Sequence, residues 1–596
     1  MKKTSVLALL LVAVMVFVAC GNTAPDTGDT AEGGGTATTD ISAVADEADW
    51  TDRPHIRIEF AFHGGGEWGY REDPLTQLME EMFNISIFTI NGGDGSDFPA
   101  QMAGMLAAGN TPDIFDERHV DMRMLIEAGQ AFNIAPHMTP ALTPVTYVDP
   151  QFQVAKRMLQ IANNWGDDEM FQFPMARGTW DSGQGILVGD YIRWDLYAEL
   201  GYPTINTRTD LLNVLRLMQD TWPENHDGRP AYGISGWFAD GGWGLWPLQF
   251  YDAFASRQGG LGDPFPYLIA YDKETMVLNP LNQIMDPDGI FWQPIWFYNQ
   301  AHQMGILDPE SFIQGWGTYI EKIEQGMVYH FMPGWLPGGI HDFFSEDGRP
   351  EQGFVNLSGI GSDVQSHISM MPTGERNFVI SAQSGDPERL LAMLDFMSSH
   401  SFSRMAFNGV PDVFWEYVNG IPTALPGLLD LSITDEERRA ASGSGVWTHV
   451  SGYAGGTIDP FTNTPIDLRF TAEAQEVLLT PVEQDALAFF GANSLFDMHR
   501  SRLRIYAPFS VFNAPPLPER FNMDFAHLSD FASRTIINII RAESDSEFNQ
   551  MRDEFMAEAE TFNVGAMFDY LYQSISAQQV HADELLRMWH MPPSLP

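Results

Sequence analysis

The stretch Ile56-Arg57-Ile58-Glu59-Phe60-Ala61-Phe62 opens the fold. Its large apolar residues fall on every second position, the period of a β-strand. Gly64-Gly65-Gly66 then breaks the pattern. Asp73 offers a helix N-cap and Pro74 a first helical position, and Leu75, Leu78, Met79, Met82 and Phe83 give that helix one apolar face. Ile85 and Ile87 begin a second strand. Met102, Met105 and Leu106 mark a second helix that Gly109 ends, and Asp113-Ile114-Phe115 gives a third short strand. The order β-α-β-α-β predicts an open parallel sheet with helices against it, an α/β fold.

Upstream of this unit the chain begins Met1-Lys2-Lys3, followed by an unbroken apolar run of 14 residues from Val6 to Ala19. A spanning helix needs about 20 residues, so the run has the proportions of a secretory signal. It ends in Phe17-Val18-Ala19-Cys20, which resembles a bacterial lipobox, with a bulky Phe17 and a Val18 where leucine and a small residue are usual. The resemblance implies that Cys20 is diacylated and becomes the new N-terminus. Cys20 is the single cysteine of the 596 residues, and an unpaired thiol gains nothing in an oxidising space unless it is modified. The alternative is an ordinary signal peptide with a chance cysteine. The division expected here is 1–20 signal and 21–49 a Gly/Thr/Ala/Asp-rich disordered tether, too poor in large apolar residues to fold.

Composition narrows the partners. Thirty-two basic against 79 acidic residues give a formal charge of −47, and after the signal only Lys156, Lys273 and Lys322 are lysines. Such a surface repels nucleic acid and anionic lipid. With 44% hydrophobic residues the chain has ample material for a core, and its length suggests several lobes. Between Trp180 and Trp335 lie ten of the sixteen tryptophans. Thr207 or Thr209 can cap a helix carrying Leu211, Leu212, Leu215 and Met218, Asp386-Pro387 opens another, and the chain from about 525 onward is helical and amphipathic.

Several colinear segments resemble one family. They are Leu106-Ala107-Ala108-Gly109-Asn110-Thr111-Pro112-Asp113-Ile114-Phe115, then Ile192-Arg193-Trp194-Asp195-Leu196-Tyr197-Ala198-Glu199-Leu200-Gly201, and Pro203 with Thr207 to Leu215. Glu324-Gln325-Gly326-Met327 followed by Trp335, Gly385-Asp386-Pro387-Glu388-Arg389, and Gly409-Val410-Pro411 to Trp415 complete the series. In this order the chain resembles the family 1 extracellular solute-binding proteins, oligosaccharide type, with Pro411-Asp412 where Glu-Gly is usual. The resemblance implies a two-lobed periplasmic-binding-protein-like fold, with open sheets, flanking helices and a hinge. It implies capture of an oligosaccharide for the permease subunits of an ABC importer, by a monomer held on the membrane by its lipid, with no cofactor and no catalysis. The lobes are then expected at 50–165 (lobe 1), 166–350 (lobe 2), 351–430 (returning, mostly lobe 1) and 431–596 (helical, contributing to both).

Sugar rings pair apolar faces with hydroxyl rims, so aromatic rings and carboxylates are the side chains to look for. The loop after the first strand contains Glu67 and Trp68, and strand C-termini are where ligands sit in such sheets. Asp113 is a further candidate, with orientation of its own turn as the alternative. Trp180 sits in a Gly/Ser-rich stretch, and Trp237, Asp240, Trp243 and Trp246 interleave with glycines, away from core-helix spacing. Trp335 resembles the family's cleft tryptophan. Trp292 and Trp296, four apart, read as core. The rival readings are a secreted glycoside hydrolase and a receptor or sensory subunit for a peptide, polyol or other solute. No G-x-S-x-G, H-E-x-x-H or P-loop pattern occurs. Scattered histidines give no expected metal site, and Asp286-Pro287-Asp288-Gly289 reads as a turn.

Overall fold

The computed structural model describes residues 50–62, 69–91, 97–117, 120–175, 188–255, 258–261, 268–272, 277–357, 367–368, 376–430, 432–495, 498, 504–505, 517–581, 584–585 and 588. In chain order the strands used below are β1 (Ile56–Phe62), β2 (Gly69–Tyr70), β3 (Ile85–Asn91), β4 (Ile114–Asp116), β5 (Phe173–Met175), β6 (Val188–Arg193) and β7 (Tyr232–Ile234). They continue with β8 (Gln258–Leu261), β9 (Ile269–Asp272), β10 (Val328–Pro333), β11 (Phe354–Asn356), β12 (His367–Ile368) and β13 (Arg376–Ile380).

The first lobe is a sheet ordered β2-β3-β1-β4-β13-β5. β1 pairs in parallel with β3, Ile56 opposite Ile85, and with β4, Phe60 opposite Ile114. The expected parallel sheet is corrected to a mixed one, because β13 returns from far along the chain and inserts antiparallel between β4 and β5. Both faces are covered. Ile58, Phe60 and Phe62 pack on helices Pro74–Phe83 and Pro387–Met397, while Ala61, Phe115 and Val379 meet Met102 of helix Asp97–Ala107 on the other side. Asp73 caps the first of these helices through the Thr76 N–H at 2.9 Å, and Pro74 occupies its first turn. Gly109, at φ +72°, ends helix Asp97–Ala107 in the left-handed conformation that a side chain would strain.

The second lobe has the order β11-β6-β10-β7, with β6 antiparallel to both neighbours and β7 parallel to β10. Thr207 proves to be the cap of helix Arg208–Thr221, in a capping box with Asp210. Sheet membership moves the expected boundaries: Phe173–Met175 belongs with the first sheet and Phe354–Asn356 with the second. The tail forms helices Glu519–Ile540, Asp545–Glu560 and Val564–Gln578, which pack into the second core. Asn299 fastens the first of them, donating to the carbonyls of Ile540 (3.1 Å) and Ala542 (2.8 Å). Helix Pro150–Asn163 joins the lobes, burying Phe152 and Leu159 in the first core and Val154 and Met158 in the second. Among the described residues no helix is long and apolar enough to cross a membrane.

Candidate ligand-binding site

β7 and β10 run parallel, so their C-terminal ends share one edge of lobe 2, the edge at which open α/β sheets hold ligands. The chain leaves β7 through Ser235-Gly236-Trp237 and leaves β10 through Gly334-Trp335. These exits meet helix Trp316–Glu324, and the rings converge. Trp237 lies 4.7 Å from Trp316, edge to face, 4.6 Å from Tyr319 and 5.5 Å from Trp243. Trp243 lies 5.2 Å from Trp246 and 5.3 Å from Trp316, and Trp316 lies 6.3 Å from Trp335.

The expectation that Trp237 touches ligand is corrected. Its side chain is 1% exposed, its ring is enclosed by three others, and its Nε1–H donates to the Trp243 carbonyl at 2.9 Å. It is the post on which the cluster stands. Gly244 serves close packing, since a Cβ there would lie 2.9 Å from the carbonyl oxygens of Trp237 and Phe238. Asp240 is exposed and also has a structural contact. Its carboxylate accepts the N–H of Trp316 at 2.6 Å, satisfying the helix N-terminus next to Gly315, where a Cβ would collide with it. Trp243 is half-buried and Trp335 is 45% exposed, so these two present ring surface outward. Trp316 and Trp246, both half-buried, complete the platform. The Gly315-Trp316-Gly317 setting was the signal for Trp316 in the sequence. Trp292 is core as expected, its Nε1–H given to the Ile284 carbonyl at 3.0 Å.

A buried polar network holds this edge. Asp308 accepts from Lys322 Nζ (2.6 Å) and Ser235 Oγ (2.8 Å), and Gln314 Nε2 donates to Ser235 Oγ (2.8 Å) and the Gly236 carbonyl (2.7 Å). Beneath it, Asp190 accepts from Arg208 (2.7 Å) and contacts His330 Nε2 (2.9 Å). Burial alone would raise the Asp190 carboxyl, but the charge of Arg208 and the hydrogen bonds of both partners outweigh it and hold it far below the usual carboxylate range. Burial pushes the Tyr298 and Tyr319 phenols well up, so both stay neutral.

In lobe 1, Asp113 stands at the start of β4, the end opposite the strand C-termini. Its Oδ2 accepts the Glu59 N–H at 2.8 Å and its carbonyl accepts the Ser381 N–H at 2.9 Å, so it staples β1, β4 and β13 together. The C-terminal edge instead carries Glu117, directly after β4 and unmarked among 79 acidic residues in the sequence. Glu67, Trp68, Trp180 and Cys20 lie outside the described residues. Asp286 accepts the Asp288 N–H at 3.0 Å, a local turn, and among the described residues no three His, Cys, Asp or Glu side chains converge as metal ligands.

No protein-family model and no curated protein matches the chain. Solved structures do. The Streptococcus pneumoniae ABC-transporter substrate binding protein FusA, in complex with kestose, is 15% identical with a TM-score of 0.59, covering 89% of this chain and 100% of its own. An HMO-binding, ABC-transporter-associated solute binding protein from Bifidobacterium longum infantis is 13% identical with a TM-score of 0.58, covering 87% and 98%. The alginate-binding protein AlgQ2 is 12% identical with a TM-score of 0.58, covering 89% and 100%. At these identities the likeness establishes the fold, the two-lobed architecture of solute-binding proteins.

Proposed function

We propose that this chain is the extracytoplasmic substrate-binding component of an ABC importer, which captures an oligosaccharide between its lobes and delivers it to a membrane permease. The observation that carries the reading is the outward-facing Trp335, backed by Trp316 at the C-terminal edge of the second sheet. A large ring exposed at this edge, on a scaffold of four further aromatic side chains, suits the apolar face of a pyranose or furanose ring. Among the structural neighbours, FusA is in complex with kestose, another protein is HMO-binding and AlgQ2 is alginate-binding, which supports a glycan. Closure then follows from contacts with ligand that form only when the two strand edges approach.

Capture requires no bond to break, so the receptor needs no cofactor, and we read it as acting as a monomer. Cys20 carries the lipid that holds the chain at the outer face of the membrane. Mass measurement on the mature N-terminus checks the anchor: Cys20 carries diacylglycerol, and Cys20→Ser leaves the protein unlipidated. Tryptophan fluorescence titration against neutral and acidic oligosaccharides, peptides and polyols tests the ligand class. Saturable quenching or enhancement by a glycan is expected, with chromogenic glycosides left unhydrolysed. Saturation by peptides alone would end the sugar reading.

A further inference from the structure

One carboxylate stands among the tryptophans of lobe 2 with an oxygen to spare. Asp240 lies in the exit from β7, between Trp237 and Trp243, and is exposed. Its Oδ2 accepts the Trp316 N–H at 2.6 Å and its carbonyl accepts the Gly244 N–H at 3.2 Å, so it is fixed to both segments that carry the half-buried rings of Trp243 and Trp316. Its Oδ1 takes no hydrogen bond among the described residues. Gly315 leaves that oxygen uncovered, since a Cβ there would lie 2.4 Å from it. Positive charge is scarce around it. The segments that build the platform, 235–247, 308–324 and 328–340, contain one lysine and no arginine. That lysine, Lys322, is buried and held by Asp308 at 2.6 Å and Glu310 at 2.7 Å. Their one histidine, His330, is buried against Asp190 at 2.9 Å.

We propose that Asp240 is the specificity-determining residue of the tryptophan platform: its open oxygen accepts from a sugar residue lying against the Trp243, Trp316 and Trp335 rings, and it confines this position to sugars without negative charge. This rests on the oligosaccharide reading above and deepens it to a ligand class. Stacking cannot make that choice, because the ring faces of acidic and neutral sugars are alike. A carboxylate can, because it only accepts. A hydroxyl supplies the proton of a charge-assisted hydrogen bond. A uronate or sulfate group supplies no proton and brings a second negative charge, and the lysine that could offset it is already committed to two carboxylates. The ammonium of an amino sugar suits both the carboxylate and the ring faces. The Trp316 N–H holds Asp240 in place before ligand arrives, so binding spends little on ordering this side chain.

The test is calorimetric titration of the full mature chain against neutral fructo-, malto-, manno- and xylo-oligosaccharides, chitosan oligomers, and alginate and polygalacturonate oligomers. Two variants accompany it. Asp240→Asn keeps an oxygen for the Trp316 N–H and puts an NH2 group in place of the open, charged oxygen. Asp240→Glu keeps the charge. The parent is expected to bind a neutral or amino-sugar oligomer and to reject the acidic ones. Asp240→Asn should bind that ligand about tenfold more weakly and admit acidic oligomers, at an unchanged unfolding midpoint, while Asp240→Glu still rejects them. A residue that only holds helix Trp316–Glu324 would move the midpoint and leave the preference alone. Parent binding of acidic oligomers alone overturns the inference, as does an Asp240→Asn protein with parent affinities for both classes. A midpoint that drops in Asp240→Asn leaves Asp240→Glu to decide, and admission of acidic oligomers by that variant overturns the inference too. A parent chain that binds no glycan at all removes the functional reading first and this one with it.

Discussion

Replacing Lys322 by methionine tests whether the aromatic platform is held by charge. The Lys322 side chain is 9% exposed and its partner Asp308 is 1% exposed, with 2.6 Å between Nζ and Oδ2. Methionine fills most of the space but leaves Asp308 with neutral donors only, from Ser235 and Gln314. The second contact, Lys322 to Glu310 at 2.7 Å, adds little because Glu310 is 59% exposed. Breaking one side of a buried pair costs roughly 3–5 kcal/mol. At about 2–4 °C per kcal/mol for a lobe of this size, the melting midpoint falls by roughly 10 °C. Adding Asp308→Asn removes the stranded charge, so the double variant should recover at least about 2 kcal/mol relative to the sum of the single changes. Urea unfolding followed by tryptophan fluorescence reads both quantities. A loss below about 1 kcal/mol in Lys322→Met, or strict additivity in the double variant, would refute the account of the network.

Further changes separate packing from function. Trp237→Ala removes the buried post of the cluster and should cost about 3–5 kcal/mol in urea unfolding, against less than about 1 kcal/mol if the ring merely lined a groove. Arg404, 1% exposed, donates to the carbonyls of Pro465 (2.8 Å) and Ile466 (3.3 Å) and pairs with Asp459 at 3.0 Å. Arg404→Met should therefore open residues 457–467 to limited proteolysis, and unchanged cleavage would show the clamp to be dispensable. His341 Nε2 accepts the Phe354 N–H at 2.9 Å, which requires that nitrogen to be unprotonated. Burial lowers its pKa despite the nearby Glu483, so its contribution is complete above the ordinary histidine pKa of about 6.5 and is lost as pH falls toward the lower folded value. Between pH 7.5 and 5.5 the parent should lose stability that His341→Gln does not, with a slope of at most about 1.4 kcal/mol per pH unit; equal losses in the two proteins would contradict this.

Local signals account for the parts of the fold that were legible. Asp73-Pro74 and Thr207 with Asp210 start helices through side-chain caps that any sequence position reveals, and the alternation of Ile58, Phe60 and Phe62 needs only its own strand. What stayed hidden depends on distant chain. β13 enters the first sheet antiparallel, paired with β4 across a large sequence separation, and no periodicity in Arg376–Ile380 announces its direction. Trp237 and Trp335 look alike as tryptophans among glycines, yet one is enclosed by Trp316 and Tyr319 and the other faces outward, a difference made by a helix some eighty residues beyond β7. Asp240 reads from the sequence as a candidate sugar ligand, and its contact with the N–H of Trp316 comes from a helix that its own surroundings do not announce. Glu117 carries no mark in a chain with 79 acidic residues, and its hydrogen bonds appear only when Gln172 and Asn377 are folded against it.

Trp335 is where the receptor account is most exposed to test. Its ring is 45% exposed and backed by Trp316 at 6.3 Å, so Trp335→Ala should leave the unfolding free energy in urea within about 1 kcal/mol of the parent. Isothermal titration of parent and variant with whichever oligosaccharide the parent binds should show affinity falling at least about tenfold, a loss of roughly 1.4 kcal/mol or more. Equal affinity in the two proteins, or a parent that takes up heat only with non-sugar solutes, would contradict capture of a glycan at this edge.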